Sequence, residues 1–150
     1  MLRLRWIGLL IMVLGAQPLF AKDKILEVDE AYIRAPIPGM KNTSAYMSLT
    51  NQSAQVLEFI GAKSTFAERI EFHDHVMKAG VMRMTQVPKI TVKPEETVKF
   101  QSGGLHLMIF DVTDKALVDE PISITFMTSD GKTFDAKFEV RSIHHEHHHH

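Results

Sequence analysis

Residues Arg69 to Val87 read RIEFHDHVMKAGVMRMTQV. Apolar and polar side chains alternate from Arg69 to Val76, the alternation breaks at Lys78-Ala79-Gly80, and it resumes from Val81 to Val87. Alternation of period two over so short a run marks a half-buried strand, and two such runs around a glycine-bearing break mark a hairpin. The same pattern recurs on both sides. Ile25–Arg34 is strand-like and ends in the turn at Pro36–Gly39, and Ser44–Thr50 alternates and stops at Asn51-Gln52-Ser53. Val56–Ile60, Thr97–Phe100, Leu105–Val112, Ile122–Met127 and Phe134–Val140 follow, with turn residues at Ser102-Gly103-Gly104 and Ser129-Asp130-Gly131. About nine short strands with turn signals between them imply an all-β fold, an antiparallel sandwich or barrel. No window carries a sustained helical period, and Thr65–Arg69 has room for one helical turn at most.

The two ends are read apart from this body. Residues 1–21, MLRLRWIGLLIMVLGAQPLFA, place Arg3 and Arg5 ahead of a short apolar run from Trp6 to Leu14. That is the layout of a secretory signal cut after Ala21. Its apolar run falls short of the roughly 20 residues a membrane-spanning helix needs, so no membrane span is expected once the signal is removed. Residues 22–143 form the expected single domain. Residues 144–150 form a His-rich tail in which His144, His145, His147, His148, His149 and His150 surround Glu146. Neutral imidazoles in such a tail are suited to Cu(II), Ni(II) or Zn(II). Without Arg3 and Arg5, the 17 Lys and Arg of the chain fall to 15, against 18 Asp and Glu. A protein with this balance has no basic excess with which to neutralise phosphates, so nucleic acid is not an expected partner. The chain has no cysteine. Disulfides, thiol chemistry and thiolate ligation are thereby excluded, and a soft-metal site has only methionine and histidine to draw on.

Outside the tail only His73, His75 and His106 are histidines, and methionines crowd beside them at Met77, Met82, Met84 and Met108. Side chains two apart on a strand share a face, so His73 and His75, Met82 and Met84, and His106 and Met108 form three such pairs. A hairpin symmetric about Lys78 and Ala79 would set His73 opposite Met84 and His75 opposite Met82. His106-x-Met108 then supplies the other half of a four-donor set of His73, Met84, His106 and Met108. Thioether sulfur is a soft neutral donor that favours Cu(I), whereas zinc sites use imidazole, thiolate or carboxylate. The expected ligand is therefore Cu(I). No general base or water activator accompanies the set, so the protein is not expected to be an enzyme. His75 and Met82 are auxiliary candidates, and Met77 and Met82 are read first as packing residues, as are Met40 and Met47.

The spacing of these donors, H-x10-M-x21-H-x-M from His73 through Met84 to His106 and Met108, resembles that of the PCuAC family of periplasmic copper chaperones. Glu71-Phe72-His73, Gly80–Met84, Gly103–Met108, Ala31–Pro36 and Ser44–Asn51 resemble conserved blocks of the same family. The resemblance implies a cupredoxin-like antiparallel β-sandwich of Greek-key type holding one Cu(I) at a partly exposed site. It further implies a periplasmic chaperone that delivers copper towards cytochrome c oxidase, directly to an oxidase subunit or through a Sco-type partner. His- or Met-rich extensions in the family are associated with Cu(II). A copper scavenger or storage protein without delivery would carry the same donors. An electron-transfer cupredoxin is disfavoured because a blue-copper site needs thiolate.

Overall fold

The computed structural model describes residues 24–113 and 120–142. Ten strands run through it: β1 (Leu26–Arg34), β2 (Thr43–Asn51), β3 (Leu57–Lys63), β4 (Ala67–Lys78), β5 (Val81–Gln86), β6 (Ile90–Val92), β7 (Thr97–Phe100), β8 (His106–Val112), β9 (Ile122–Thr128) and β10 (Thr133–Arg141). No helix occurs among the described residues, as the all-β reading requires. The sheet runs β5-β4-β8-β2-β1-β10-β9-β3-β6, and a further contact between β3 and β4 through Ala62 and Ile70 closes it on itself.

Alternation sets which face is buried. On β4, Ile70 and Phe72 point inward while Arg69, Glu71 and His73 point outward. On β8, Leu107 and Ile109 point inward while Met108 and Phe110 point outward. Leu107 and Ile109 join Ile33, Leu49, Phe59, Ile124, Phe126 and Phe138 in a core whose members are essentially sealed from solvent. Burial of large apolar side chains on this scale is the principal force holding a cysteine-free sheet closed.

Four details differ from the sequence reading. The nine expected strands become ten, because Ile90-Thr91-Val92 forms β6 against Leu57–Phe59 of β3. Three residues between Pro88-Lys89 and Lys93-Pro94 are too few for alternation to register. One pairing is parallel rather than antiparallel: β1 lies beside β10 through Tyr32↔Glu139 and Arg34↔Arg141. Strands at opposite ends of a chain can pair this way because the whole domain serves as their crossover. Thr65-Phe66 is a turn, and β4 begins at Ala67, so no helical turn forms there. Met40, read as a packing residue, is exposed, whereas Met47 lies in the core as expected.

β2 carries two collinear partners on one edge. Met47–Thr50 pairs with β7 and Thr43–Ala45 pairs with β8, so β7 and β8 are one strand broken by the loop at 101–105. Gln101 accepts from Gly104 N (3.1 Å), and its own amide donates to Leu105 O (2.7 Å). Gly103 sits at φ 79°, where a side chain would be strained. This break lies beside the histidines.

Candidate metal centre

The hairpin that brings His75 and the methionines together turns through Ala79-Gly80, with φ of 52° and 78°. Two successive left-handed residues are the mark of a type I′ turn, whose twist matches that of the strands it joins. The turn moves the expected register by two residues. His75 lies opposite Met84, Met77 opposite Met82, and His73 opposite Gln86. The predicted pairs His73 with Met84 and His75 with Met82 are therefore not direct partners. A slip of two keeps every side chain on its expected face, so His73, His75, Met77, Met82 and Met84 still share the outer face of the sheet. Met84 is now the diagonal neighbour of His73, about 7–8 Å away and somewhat less at Cβ, within reach of a long side chain.

On its other edge β4 pairs with β8, and there His73 lies directly opposite His106 and Glu71 opposite Met108. The His73 and His106 rings are 6.0 Å apart between centroids. Beyond His106 the chain leaves the sheet for the Gly103-Gly104 loop, so His75 has no β8 partner. Its ring stacks on His106 instead, at 5.1 Å and 26°. Three imidazoles and the thioethers of Met84 and Met108 thus gather on one face at the break in the β7–β8 line. Tyr46 covers His106 from β2 at 6.4 Å, and Phe110 flanks His73 at 6.1 Å.

Hydrogen bonds decide which ring nitrogens are free. Glu71 Oε2 lies 2.8 Å from His73 Nε2, and a carboxylate only accepts, so Nε2 carries the proton. Arg69 holds the other Glu71 oxygen and stacks over Phe110 at 4.0 Å. Together these donors keep the Glu71 carboxyl below the usual carboxylate range, the His73 hydrogen bond contributing most. In neutral His73 the lone pair is then on Nδ1, which is buried and has no hydrogen-bond partner. His106 is the mirror case. Its Nδ1 donates to Gly104 O at 2.8 Å, so Nε2 holds the lone pair. Burial pushes the His106 imidazolium below its ordinary range, a shift only partly offset by the Gly104 carbonyl. His75 Nδ1 is likewise buried without a partner.

Among the described residues no group of three or more His, Cys, Asp or Glu side chains is arranged to hold a metal ion. A set that combines imidazole with thioether is neutral and favours Cu(I) over harder ions. Met77, Met82 and Met84 are 64%, 54% and 48% exposed. Met77 and Met82 are thus not the packing residues that the sequence reading took them for. Glu71 was missed as a functional residue. Its signal was its place two residues before His73, on the same strand face. The tail histidines at 144–150 and the signal at 1–21 lie outside the described residues.

This arrangement has known counterparts. The fold is that of PCuAC domains: the copper-bound PCuAC domain from PmoF2 superposes with a TM-score of 0.65 at 20% identity, covering 79% of this chain and 94% of that one. The Cu(I) form of DR1885 from Deinococcus radiodurans gives a TM-score of 0.64 at 28% identity, covering 84% of this chain and 85% of that one. The chain belongs to the LpqE-like family, the family of the putative lipoprotein LpqE, whose model matches residues 26–140. A curated relative, the putative lipoprotein Lxx21020 of Leifsonia xyli subsp. xyli, is 27% identical over 119 residues, 79% of this chain and 70% of its own length.

Proposed function

We propose that this protein is a carrier of Cu(I) rather than an enzyme, holding the ion with His73, Met84, His106 and Met108. The observation that carries this reading is the pair of imidazoles facing each other across β4 and β8. Glu71 and the Gly104 carbonyl occupy one nitrogen of each ring and leave the other as a neutral donor. His73 Nδ1, His106 Nε2 and the sulfurs of Met84 and Met108 make up an uncharged set. Such a set stabilises the reduced ion and binds it less strongly than thiolates would. The 28% identity to a protein whose structure holds Cu(I) supports the same assignment. His75, stacked on His106 and opposite Met84, is placed to serve as an auxiliary donor.

Delivery is by ligand exchange, towards cytochrome c oxidase assembly, with a Sco-type protein or an oxidase subunit as acceptor. The exposure of Met84 favours delivery over storage, because an acceptor can reach the sulfur without unfolding the domain. The place of action is the periplasm, following the signal at residues 1–21. The tail at 144–150 is a Cu(II)-holding element in this reading, and its removal abolishes Cu(II) binding while sparing Cu(I).

The test is an anaerobic Cu(I) competition titration against a chromogenic chelator, comparing the unaltered chain with Met84→Leu/Met108→Leu. One tightly held Cu(I) in the first and none in the second is the expected result. Equal binding by both would remove the site. Oxidase activity at low copper in a strain lacking the protein then separates the roles: lost activity means delivery, and copper sensitivity alone means storage.

A further inference from the structure

We propose that Met77 and Met82 form a second, outer Cu(I) position at the tip of the β4–β5 hairpin, through which the ion enters and leaves the inner donor set. This rests on the Cu(I) reading above and adds a route to it. Met77 and Met82 are direct cross-strand partners. Their Cβ atoms are therefore about 4.5–5.5 Å apart, close enough for both sulfurs to touch one ion. They are also among the exposed large apolar side chains of the molecule, at 64% and 54%. A thioether left in water at a hairpin tip contributes no packing, so a core role does not account for either residue.

Position along the strands supplies the direction. Met77 and Met82 share the outer face with the next pair inward, His75 and Met84, which leads to His106 at only 3% exposure. Successive pairs on one face are about 6.6–6.8 Å apart. A methionine side chain with three rotatable bonds can carry its sulfur across much of that gap. Asp74, Lys78 and Arg83 alternate onto the opposite face, so the line of donors from tip to centre carries no fixed charge. Two thioethers alone are a weak pair and hold the ion briefly. Each step breaks one copper–sulfur or copper–nitrogen bond as the next forms. The copper stays Cu(I) throughout, and no electron or proton is exchanged. β5 lies at the open end of the strand order, where an acceptor's ligands can approach the tip.

The experiment uses the full chain with 13C-labelled methionine methyl groups, titrated anaerobically with Cu(I). Stopped-flow measurement of copper loading and of copper removal by a chromogenic chelator is run on the unaltered chain and on Met77→Leu/Met82→Leu. The methyl signals of Met84 and Met108 are expected to shift up to one equivalent, and those of Met77 and Met82 between one and two. In the variant, loading and release slow by the same factor, about tenfold, because one step is removed in both directions. Leucine keeps the apolar surface, so unchanged rates in the variant would mean the tip acts only by contact and would overturn the proposal. So would stationary Met77 and Met82 signals while Met84 and Met108 move. If all four stay still, the inner site fails too, and the function proposed above falls with it.

Discussion

Two buried polar clusters in this domain use hydrogen bonds in opposite ways. Asn51, at the end of β2, is fully buried. Its Nδ2 donates to the carbonyls of Gln55 (2.7 Å) and Val92 (3.0 Å), and its Oδ1 accepts from the backbone amide (2.9 Å) and hydroxyl (2.7 Å) of Ser53. Every donor and acceptor of the amide is engaged, and the short strand β6 is tied to β2 through it. The histidine cluster leaves His73 Nδ1 and His75 Nδ1 buried and unpaired. A buried polar atom without a partner costs about 1–3 kcal/mol. The satisfied cluster serves the fold, and in the function proposed above the unsatisfied one receives the copper.

Substitution can break this contrast in both directions. The largest expected effect is His73→Leu, which weakens Cu(I) binding by at least about 100-fold, as loss of a ligand should exceed loss of its support. It changes unfolding free energy by no more than about 1 kcal/mol, because Arg69 still holds Glu71. Competition titration and urea unfolding of the same sample check both halves. Asn51→Leu does the reverse. It strands the Gln55 and Val92 carbonyls and the Ser53 amide and lowers stability by roughly 2–4 kcal/mol, read from the urea midpoint. Copper stoichiometry is retained.

Glu71→Gln sharpens the contrast at the site itself. The amide no longer imposes an Nε2 proton on His73, and Cu(I) affinity falls by about 10–100-fold with stoichiometry kept at one. Asp130 gives the smallest effect, being a satisfied polar group in open water. Lys132 and Thr128 hold its carboxyl down to about 2 from an ordinary 3.8. A depressed carboxylate stabilises the fold above its unfolded pKa, and the contribution disappears as pH falls through the folded value. Asp130→Asn therefore lowers the thermal midpoint slightly at pH 7 and by less at pH 2, as a melt at each pH will test.

Much of this was legible in the sequence. Alternation placed nine of the ten strands and put His73 with His75, Met82 with Met84, and His106 with Met108 on shared faces, because the period of a strand survives even where its register does not. What the sequence reading missed came from turns and non-local pairing. Hairpin register depends on which two residues make the turn, and Ala79 gives no sign of the left-handed conformation it adopts. The contact between His75 and His106 follows from β8 leaving the sheet at Gly104, and Asn51 looked like an ordinary turn residue. Glu71 was in plain view beside His73, but its carboxylate only acquires a role once Arg69 and the ring are placed around it.

An edge strand with all six residues exposed and two methionines facing water also bears on solubility. Open backbone beside apolar side chains is the template on which copies of a chain stack into aggregates. β5 carries three of the usual safeguards: it is short, Pro88 follows soon after its end, and Arg83 puts a charge at its middle. An edge so guarded can stay open to a metal acceptor while discouraging a second copy of itself.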